Sequence, residues 1–526
     1  MTTSTSNELP ATRADAPVMA AATTAVTTAA TATTGPPSAP PGTPPDRPAA
    51  VAEVSRTLWS RFIILILCLA VVLSTLAFGT VHAWSLGLFQ AGAGLVVVLW
   101  MLDAWRSRAL RLSRNFLQLP LAGLILVGLA QLLPLGGGGV AGASLPLSFD
   151  PYATRVVVLQ LVALLVYFAA ALAFIDSPRR LRLVVRLIII FGFALAMFGL
   201  MQHFVNPSMI YWLRESKQSL PFGPYINRHH FAGYMELTLA LPLGLLFAGA
   251  VERERMPLYG FAAALMCIAL VMTNSRGGML SMLAEIVFLV LVSVRVGRKS
   301  KSAEDGEEQK GSLMRALGLR VALAFGMVVV VVFGALYFGG EESLSRLVGT
   351  VNAADPTTGR AHFWKGTVEI IKDHPLVGTG LGAFSAVYPR YDTGSGAYRL
   401  EQAHNDYLQI LSDAGVVGGL LGLLFLVALF RMALARMQSH DRFRRGVALG
   451  ALAGCAGVLV HSFFDFTLHA LANALLFLLL AALATVNGRV EEPEVKRRKR
   501  RRRRRQSTGA DEAPETEGRE TEQLAA

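Results

Sequence analysis

The stretch AHNDYLQILSDAGVVGGLLGL, residues 403–423, opens on a polar cluster containing His404 and passes without a break into an apolar segment long enough to enter a membrane. The same kind of segment recurs along the chain. With 53% hydrophobic and only 16% charged residues, the 526-residue sequence excludes an ordinary soluble enzyme and reads as a polytopic membrane protein. A spanning helix needs about 20 mostly apolar residues, and that length rule gives about twelve spans, at roughly 60–79, 84–102, 116–135, 155–175, 184–204, 231–250, 257–274, 277–294, 318–338, 406–430, 446–464 and 469–487. Runs of this length satisfy their backbone as helices rather than barrel strands. The expected fold is therefore an all-α membrane bundle.

Lysine and arginine set the expected orientation. WRSRALRLSR, SPRRLRLVVR, VERER, VRVGRKSKSAEDGEEQK and RMALARMQSHDRFRR occupy every second connection, whereas GTVHAWS, LGGGGVAGASLPLSFDP, TNSRGG and FDFTLH hold a single arginine between them. The positive-inside rule then places both termini in the cytoplasm and two larger connections, residues 205–230 and 339–405, on the far side of the inner membrane. The apolar runs start near residue 62, behind an Ala/Thr/Pro-rich leader, so no cleavable signal peptide is expected.

Five regions follow: a cytoplasmic disordered tail (1–55), spans one to nine (56–338), a large periplasmic loop (339–405), spans ten to twelve (406–488) and a polybasic then acidic tail (489–526). The run KRRKRRRRRR at 496–505 supplies ten of the 49 Lys and Arg residues, so the net charge of +13 is largely a tail property. Placed just inside a final span, it suits anionic headgroups; it has no aromatic stacking residues, so no nucleic-acid partner is expected. Cys68, Cys267 and Cys455 all fall inside spans and cannot staple the loops. No internal repeat is evident, which weighs against transporters built from duplicated halves.

Three places carry chemistry. In TTGRAHFWKGTVEIIKDHPLVGTGLGAF, Thr357 or Thr358 would cap a helix with Phe363, Trp364, Val368 and Ile371 at helical spacing, ended by Pro375 and the glycines that follow. This amphipathic helix is expected on the bundle or in the interface. Arg360, near its positive end, suits a phosphate partner or stands simply solvated. In the opening stretch His404, Leu408, Leu411, Gly415 and Gly418 follow steps of four and three and are expected on one helix face, with Gly415/Gly419 and Gly418/Gly422 admitting a second helix. His404 would then be a catalytic imidazole or a hydrogen-bonding cap. The 205–230 connection offers Arg214, Lys217, Asn227, Arg228, His229 and His230 beside Tyr211 and Trp212, whose aromatic rings suit the interfacial belt.

Glu236 and Glu285 lie inside spans, where an ionisable group is expensive; a buried hydrogen bond to a neighbouring helix is the expected fate. His461, Asp465 and His469 are spaced by four, but the stretch is expected to be a turn, which makes zinc a poor fit and leaves Asp465 to order the outer ends of neighbouring helices.

The pattern His404, Asn405, nine residues, Gly415 and Gly418, with TNSRGG around Arg276 and the segment that follows Arg360, resembles the O-antigen ligase and O-antigen polymerase superfamily, which includes O-linked protein oligosaccharyltransferases. INRHHFAGY likewise resembles a family segment near the donor site. The resemblance covers roughly residues 60–487, about twelve spans with a large loop before the tenth. It implies transfer of a glycan from a polyprenyl diphosphate carrier to an acceptor hydroxyl, such as lipid A core, by an inverting, metal-independent reaction that needs no cofactor. On that reading Arg276 and Arg360 bind the diphosphate, Arg228 or His230 touch phosphate, and His404 takes the acceptor proton or positions the acceptor. A ligase is the first expectation and a polymerase the second; a transporter or an anchoring protein accounts less well for Arg276, Arg360 and His404.

Overall fold

The computed structural model describes residues 57–135, 145–216, 219–299, 360–394 and 399–486, together with positions 318, 325, 326, 329 and 490, and all belong to one unit, Val54–Ala526. Apart from those isolated positions, the expected ninth span at 318–338 and both tails lie outside the described residues, as do the caps Thr357 and Thr358 and Lys217.

The regular structure of the described residues is almost entirely helical. In chain order they form α1 (Leu58–Leu76), α2 (Ala83–Ser107), α3 (Gln118–Gln131), α4 (Pro151–Phe174), α5 (Pro178–Val205), the short antiparallel strands β1 (Met209–Ile210) and β2 (Arg214–Glu215), α6 (Arg228–Phe247), α7 (Met256–Met272), α8 (Arg276–Lys299), α9 (Arg360–Asp373), α10 (Phe384–Val387), α11 (Asp406–Arg436), α12 (Arg442–His461) and α13 (Leu471–Thr485). Among the described residues nine helices are long and apolar enough to cross a membrane, while α3 and α13 are apolar but shorter. The protein is an all-α polytopic membrane protein, and each expected span other than 318–338 coincides with one of these helices.

Helix α6 is the axis of the bundle: its apolar window is wholly buried, against 22% for α11 and 28% for α2, whose large apolar side chains face outward to lipid. Close approach explains the difference. On α12, Gly446, Gly450 and Gly454 recur every fourth residue and form a groove against α6; a Cβ at Gly450 would lie 2.5 Å from the Ala240 carbonyl oxygen, and one at Gly244 would collide with the Gly450 backbone. The expected small-residue seam on α11 is a different matter. A Cβ at Gly418 meets Ala414 and Ile410 of its own helix first, one at Gly419 meets Leu411, and one at Gly422 meets nothing within 4 Å. Small residues admit a helix only where a partner comes, and here the partner comes to α12.

Polar ties close the two ends. At one end Arg111 bridges Asp103 of α2 (3.1 Å) and Asp176 (3.3 Å), and Arg180 joins Asp176 (3.2 Å) to Ser60 Oγ of α1 (2.7 Å). There too, Arg444, fully buried, donates to the Leu483, Ala484 and Val486 carbonyls that end α13. At the other end, Tyr225 Oη donates to Asn473 Oδ1 (2.9 Å), and Asn473 Nδ2 donates to the His230 carbonyl (2.9 Å). The candidate site lies at this second end.

Candidate active site at the rim of the bundle

Helix α9 runs from Arg360 to Asp373 as its spacing predicts, but its buried stripe is Gly366, Thr367 and Ile370, with Val368 exposed. Ile370 packs with Phe384, Val387, Tyr388 and Ala403 in a small core of the loop's own, with Phe363 against it. The helix therefore lies on the bundle and presents Arg360 at its first turn.

A break in α11 holds that loop in place. Gly415 has φ 62° and ψ −163°, and a Cβ there would strike the Leu376 backbone. The loop fills the gap with its own hydrogen bonds: Val416 N–H donates to Pro375 O (2.8 Å), Val417 N–H to Leu376 O (3.3 Å), Thr379 N–H to Ser412 O (2.9 Å) and Gly380 N–H to Asp413 O (3.0 Å). Gln131 of α3 locks the join, donating to Val377 O (2.6 Å) and Asp413 O (2.8 Å) and accepting from Leu381 N–H (2.9 Å).

This geometry corrects the single-face reading of the opening stretch. Helix α11 starts at Asp406, and Asn405 is its N-cap, accepting from Tyr407 and Leu408 N–H (3.0 and 3.1 Å) and donating to Phe463 O (3.2 Å). His404 stands ahead of the cap with φ 52°, outside the helix, so it shares no face with Leu408, Leu411, Gly415 and Gly418. A non-glycine residue held in the left-handed region is strained, and such strain persists where the surroundings over-determine it. Here they do: Ala403 N–H donates to Gln409 Oε1 (2.7 Å), and Asp406 N–H donates to Ser462 O (2.9 Å).

The α12–α13 turn faces this corner and supplies Asp465, almost wholly buried. His404 Nδ1 lies 3.4 Å from Asp465 Oδ1; Arg360 Nη2 and His229 Nδ1 lie 3.5 and 3.8 Å from Oδ2. Burial works against the charged form of Asp465, but the His404 contact and the surrounding imidazoles outweigh it and hold the carboxyl well below its usual range. Asp465 is therefore an anion at neutral pH. Next to it, Phe466 meets three imidazoles: His404 (4.8 Å), His230 (5.1 Å) and His469 (5.9 Å between ring centroids). Phe363 stacks on the other side of His404 at 6.2 Å.

Four helix N-termini meet here, since Arg228 starts α6, Arg276 starts α8, Arg360 starts α9 and His404 leads into α11. Their partial positive charges add to the guanidinium groups, a setting that suits an anionic ligand. His229 ties the first two together, with Nδ1 2.8 Å from Ser275 Oγ. Arg276 follows Ser275, is partly buried and makes no ion pair among the described residues. His230 is buried, and its Nε2 makes no hydrogen bond there. Arg214 stands apart, 2.7 Å from His82 Nε2 and over the Phe78 ring.

The structure thus gathers Arg360, His404 and His230 around Asp465 and Phe466, with Arg228 next to His229 in the chain and Arg276 next to Ser275, the hydrogen-bond partner of His229. Sequence reasoning gave Asp465 only an ordering role, named His229 among the polar residues of its connection without assigning it one, and did not name Ser275. The one available signal for Asp465 was a lone carboxylate in an otherwise uncharged apolar turn. His461, Asp465 and His469 do not converge: they face Glu236 (2.7 Å), the rim, and Asp406 (3.1 Å) respectively. Glu236 makes the expected buried bonds, accepting from Ser281 Oγ (2.7 Å) and pairing with His461, whereas neither Glu285 oxygen finds a hydrogen bond among the described residues. Polar groups therefore occur inside the bundle as well as at the rim.

Residues 261–423 match the O-antigen ligase family. The chain is also similar to the exopolysaccharide production protein ExoQ of Rhizobium meliloti (strain 1021), 29% identical over 136 residues that cover 24% of this chain and 30% of that relative's length. The resemblance to the O-antigen ligase and polymerase superfamily is borne out over this region. Arg276, Arg360, His404, Asn405, Gly415 and Gly418 lie within the matched residues, and Arg228, His229, His230 and Asp465 lie outside them.

Proposed function

We propose, with the O-antigen ligase match as the premise, that the protein is a glycosyltransferase of the inner membrane. It moves a glycan from a polyprenyl diphosphate to an acceptor hydroxyl on the periplasmic side. The observation that carries this reading is the Asp465 carboxylate shared between His404 and Arg360.

In this reading, His404 keeps its proton on Nδ1, toward Asp465 Oδ1 at 3.4 Å, which leaves Nε2 as the base. His404 Nε2 takes the acceptor's hydroxyl proton as the acceptor oxygen bonds to the anomeric carbon. The bond from that carbon to the diphosphate oxygen breaks, and its electron pair leaves with the diphosphate. A single displacement inverts the anomeric centre. Arg360, Arg276 and Arg228, at three helix N-termini, neutralise the leaving charge, which assigns to guanidinium groups the work a bound cation would otherwise do. His230 lies within reach of the same region through Phe466.

The acceptor assigned first is lipid A core, as for a ligase. The second reading, polymerisation of repeat units, is favoured by the likeness to an exopolysaccharide production protein; transfer to a protein hydroxyl would use the same donor chemistry. Deleting the gene and analysing surface glycans separates them. Lost attachment with accumulated lipid-linked polymer is the ligase result, single repeat units on the acceptor the polymerase result, and unchanged surface glycans would sink the proposal.

A further inference from the structure

Behind the rim, a line of polar side chains runs into the core. His229 Nδ1 lies 2.8 Å from Ser275 Oγ, Ser275 Oγ lies 3.5 Å from His461 Nε2, and His461 Nδ1 lies 2.7 Å from Glu236 Oε1. His461 and Glu236 are fully buried, and Ser281 Oγ donates to the second Glu236 oxygen at 2.7 Å. The packing leaves no slack: a Cβ on Gly277 would lie 2.7 Å from the His461 ring, and one on Gly278 3.2 Å from Glu236 Oε1.

Hydrogen-bond capacity makes this line directional. A serine hydroxyl has one hydrogen to give and two lone pairs to fill. The Gly278 N–H fills one lone pair of Ser275, at 3.2 Å. One donor and one acceptor position remain for two imidazoles. If His461 gives a proton to Ser275, the serine hydrogen turns to His229 Nδ1, and a neutral His229 must carry its own proton on Nε2. If His461 Nε2 instead accepts, His229 must be protonated on Nδ1, beside Asp465 Oδ2 at 3.8 Å. Protonation of the buried pair is thus read out as the tautomer of a partly exposed histidine at the rim.

We propose that Glu236, His461 and Ser275 form a buried relay that sets the tautomer of His229 and so decides whether its Nε2 offers the site a hydrogen-bond donor or an acceptor. Ser275 is then a positioning residue for the transfer. The groups facing the relay are Arg228 on α6, Ser281 and Glu285 on α8, Arg360 on α9, and Asp465 in the turn; a Cβ at Gly457 of α12 would touch both α8 side chains, at 3.2 and 3.5 Å. The consequence for transfer rests on the function proposed above, while the tautomer does not.

The test uses the full chain in lipid nanodiscs with histidine labelled at its ring nitrogens, the resonances assigned by His229→Asn and His461→Asn. The expected spectrum shows one of His229 Nδ1 and His461 Nε2 protonated and the other bare, a pairing that Ser275→Thr keeps and Ser275→Ala abolishes. Both protonated, or both bare, in the wild type overturns the relay. In transfer assays with a polyprenyl-diphosphate-linked oligosaccharide, Ser275→Ala is expected to lower kcat about ten-fold or more with donor KM nearly unchanged, and Ser275→Thr to restore it. An unchanged kcat in Ser275→Ala removes the positioning role. A wild type that transfers nothing overturns the proposed function instead, and the spectra still decide the relay.

Discussion

His404 Nδ1 and Asp465 Oδ1 lie 3.4 Å apart, and the other oxygen of the same carboxylate faces Arg360. One anion therefore orients an imidazole and a guanidinium from two different parts of the large loop, and neutralising it should disturb both. Asp465→Asn keeps the shape but puts an amide N–H or a weaker acceptor against His404. Transfer is expected to fall about a hundred-fold or more, as when a histidine loses the partner that fixes its tautomer, with membrane insertion unchanged. A transfer assay on membranes matched for protein level reads this directly, and a near-normal rate removes Asp465 from the mechanism.

Arg360 and His404 are separable by substitution. His404→Ala and Arg360→Ala should each abolish transfer without altering insertion. Arg360→Lys should recover only part of the rate, because an ammonium is a point charge without the planar fork that holds two phosphate oxygens. Full activity in either alanine variant, or full rescue by lysine, would show that the guanidinium or imidazole is not used as assigned.

The helices were legible because apolar runs of span length leave few alternatives, and the loop helix because Phe363, Trp364, Val368 and Ile371 sit at helical spacing ahead of Pro375, although the stripe it buries is Gly366, Thr367 and Ile370. The site was legible only in pieces. Arg360, Arg276 and His404 stood out as chemistry at helix ends, yet nothing local tells that His404 lies before the helix rather than on it. That depends on Gln409 folding back on Ala403 and on Ser462 holding Asp406 from across the fold. The Gly415 break was hidden for the same reason, since an in-helix glycine and a glycine that admits a loop read alike until Leu376 is seen against it. His229 and Ser275 meet across 46 residues of sequence, a separation at which spacing carries no information.

The two glycine patterns predict opposite outcomes on stability. Gly450 packs against the α6 backbone, which cannot yield, so Gly450→Leu should cost several kcal/mol or prevent folding, on the order of other overpacked core sites (about 1–3 kcal/mol, more where backbone must move). Gly422 faces open space inside a helix, where alanine is preferred by about 1 kcal/mol. Gly422→Ala should therefore be neutral or stabilising. Thermal unfolding of the two detergent-solubilised variants checks the contrast, and destabilisation by Gly422→Ala would mean that a helix does pack there.

The His469–Asp406 pair gives a pH dependence with a fixed sign. Burial opposes the imidazolium of His469, but the Asp406 hydrogen bond at 3.1 Å and its charge outweigh it and raise the pKa above 6.5. A folded-state value above the unfolded one stabilises fully below about pH 6.5, and that contribution fades as pH rises through the raised value. His469→Asn cannot take up the proton, so its deficit in thermal midpoint relative to the wild type should be largest near pH 6 and shrink toward about pH 9. The deficit should also shrink at high salt, because the His469 side chain is exposed and its attraction to Asp406 is open to screening. A deficit that stays constant across this range would mean that Asp406 holds His469 in its neutral form, and that the pair orders the α12–α13 turn by hydrogen bonding alone.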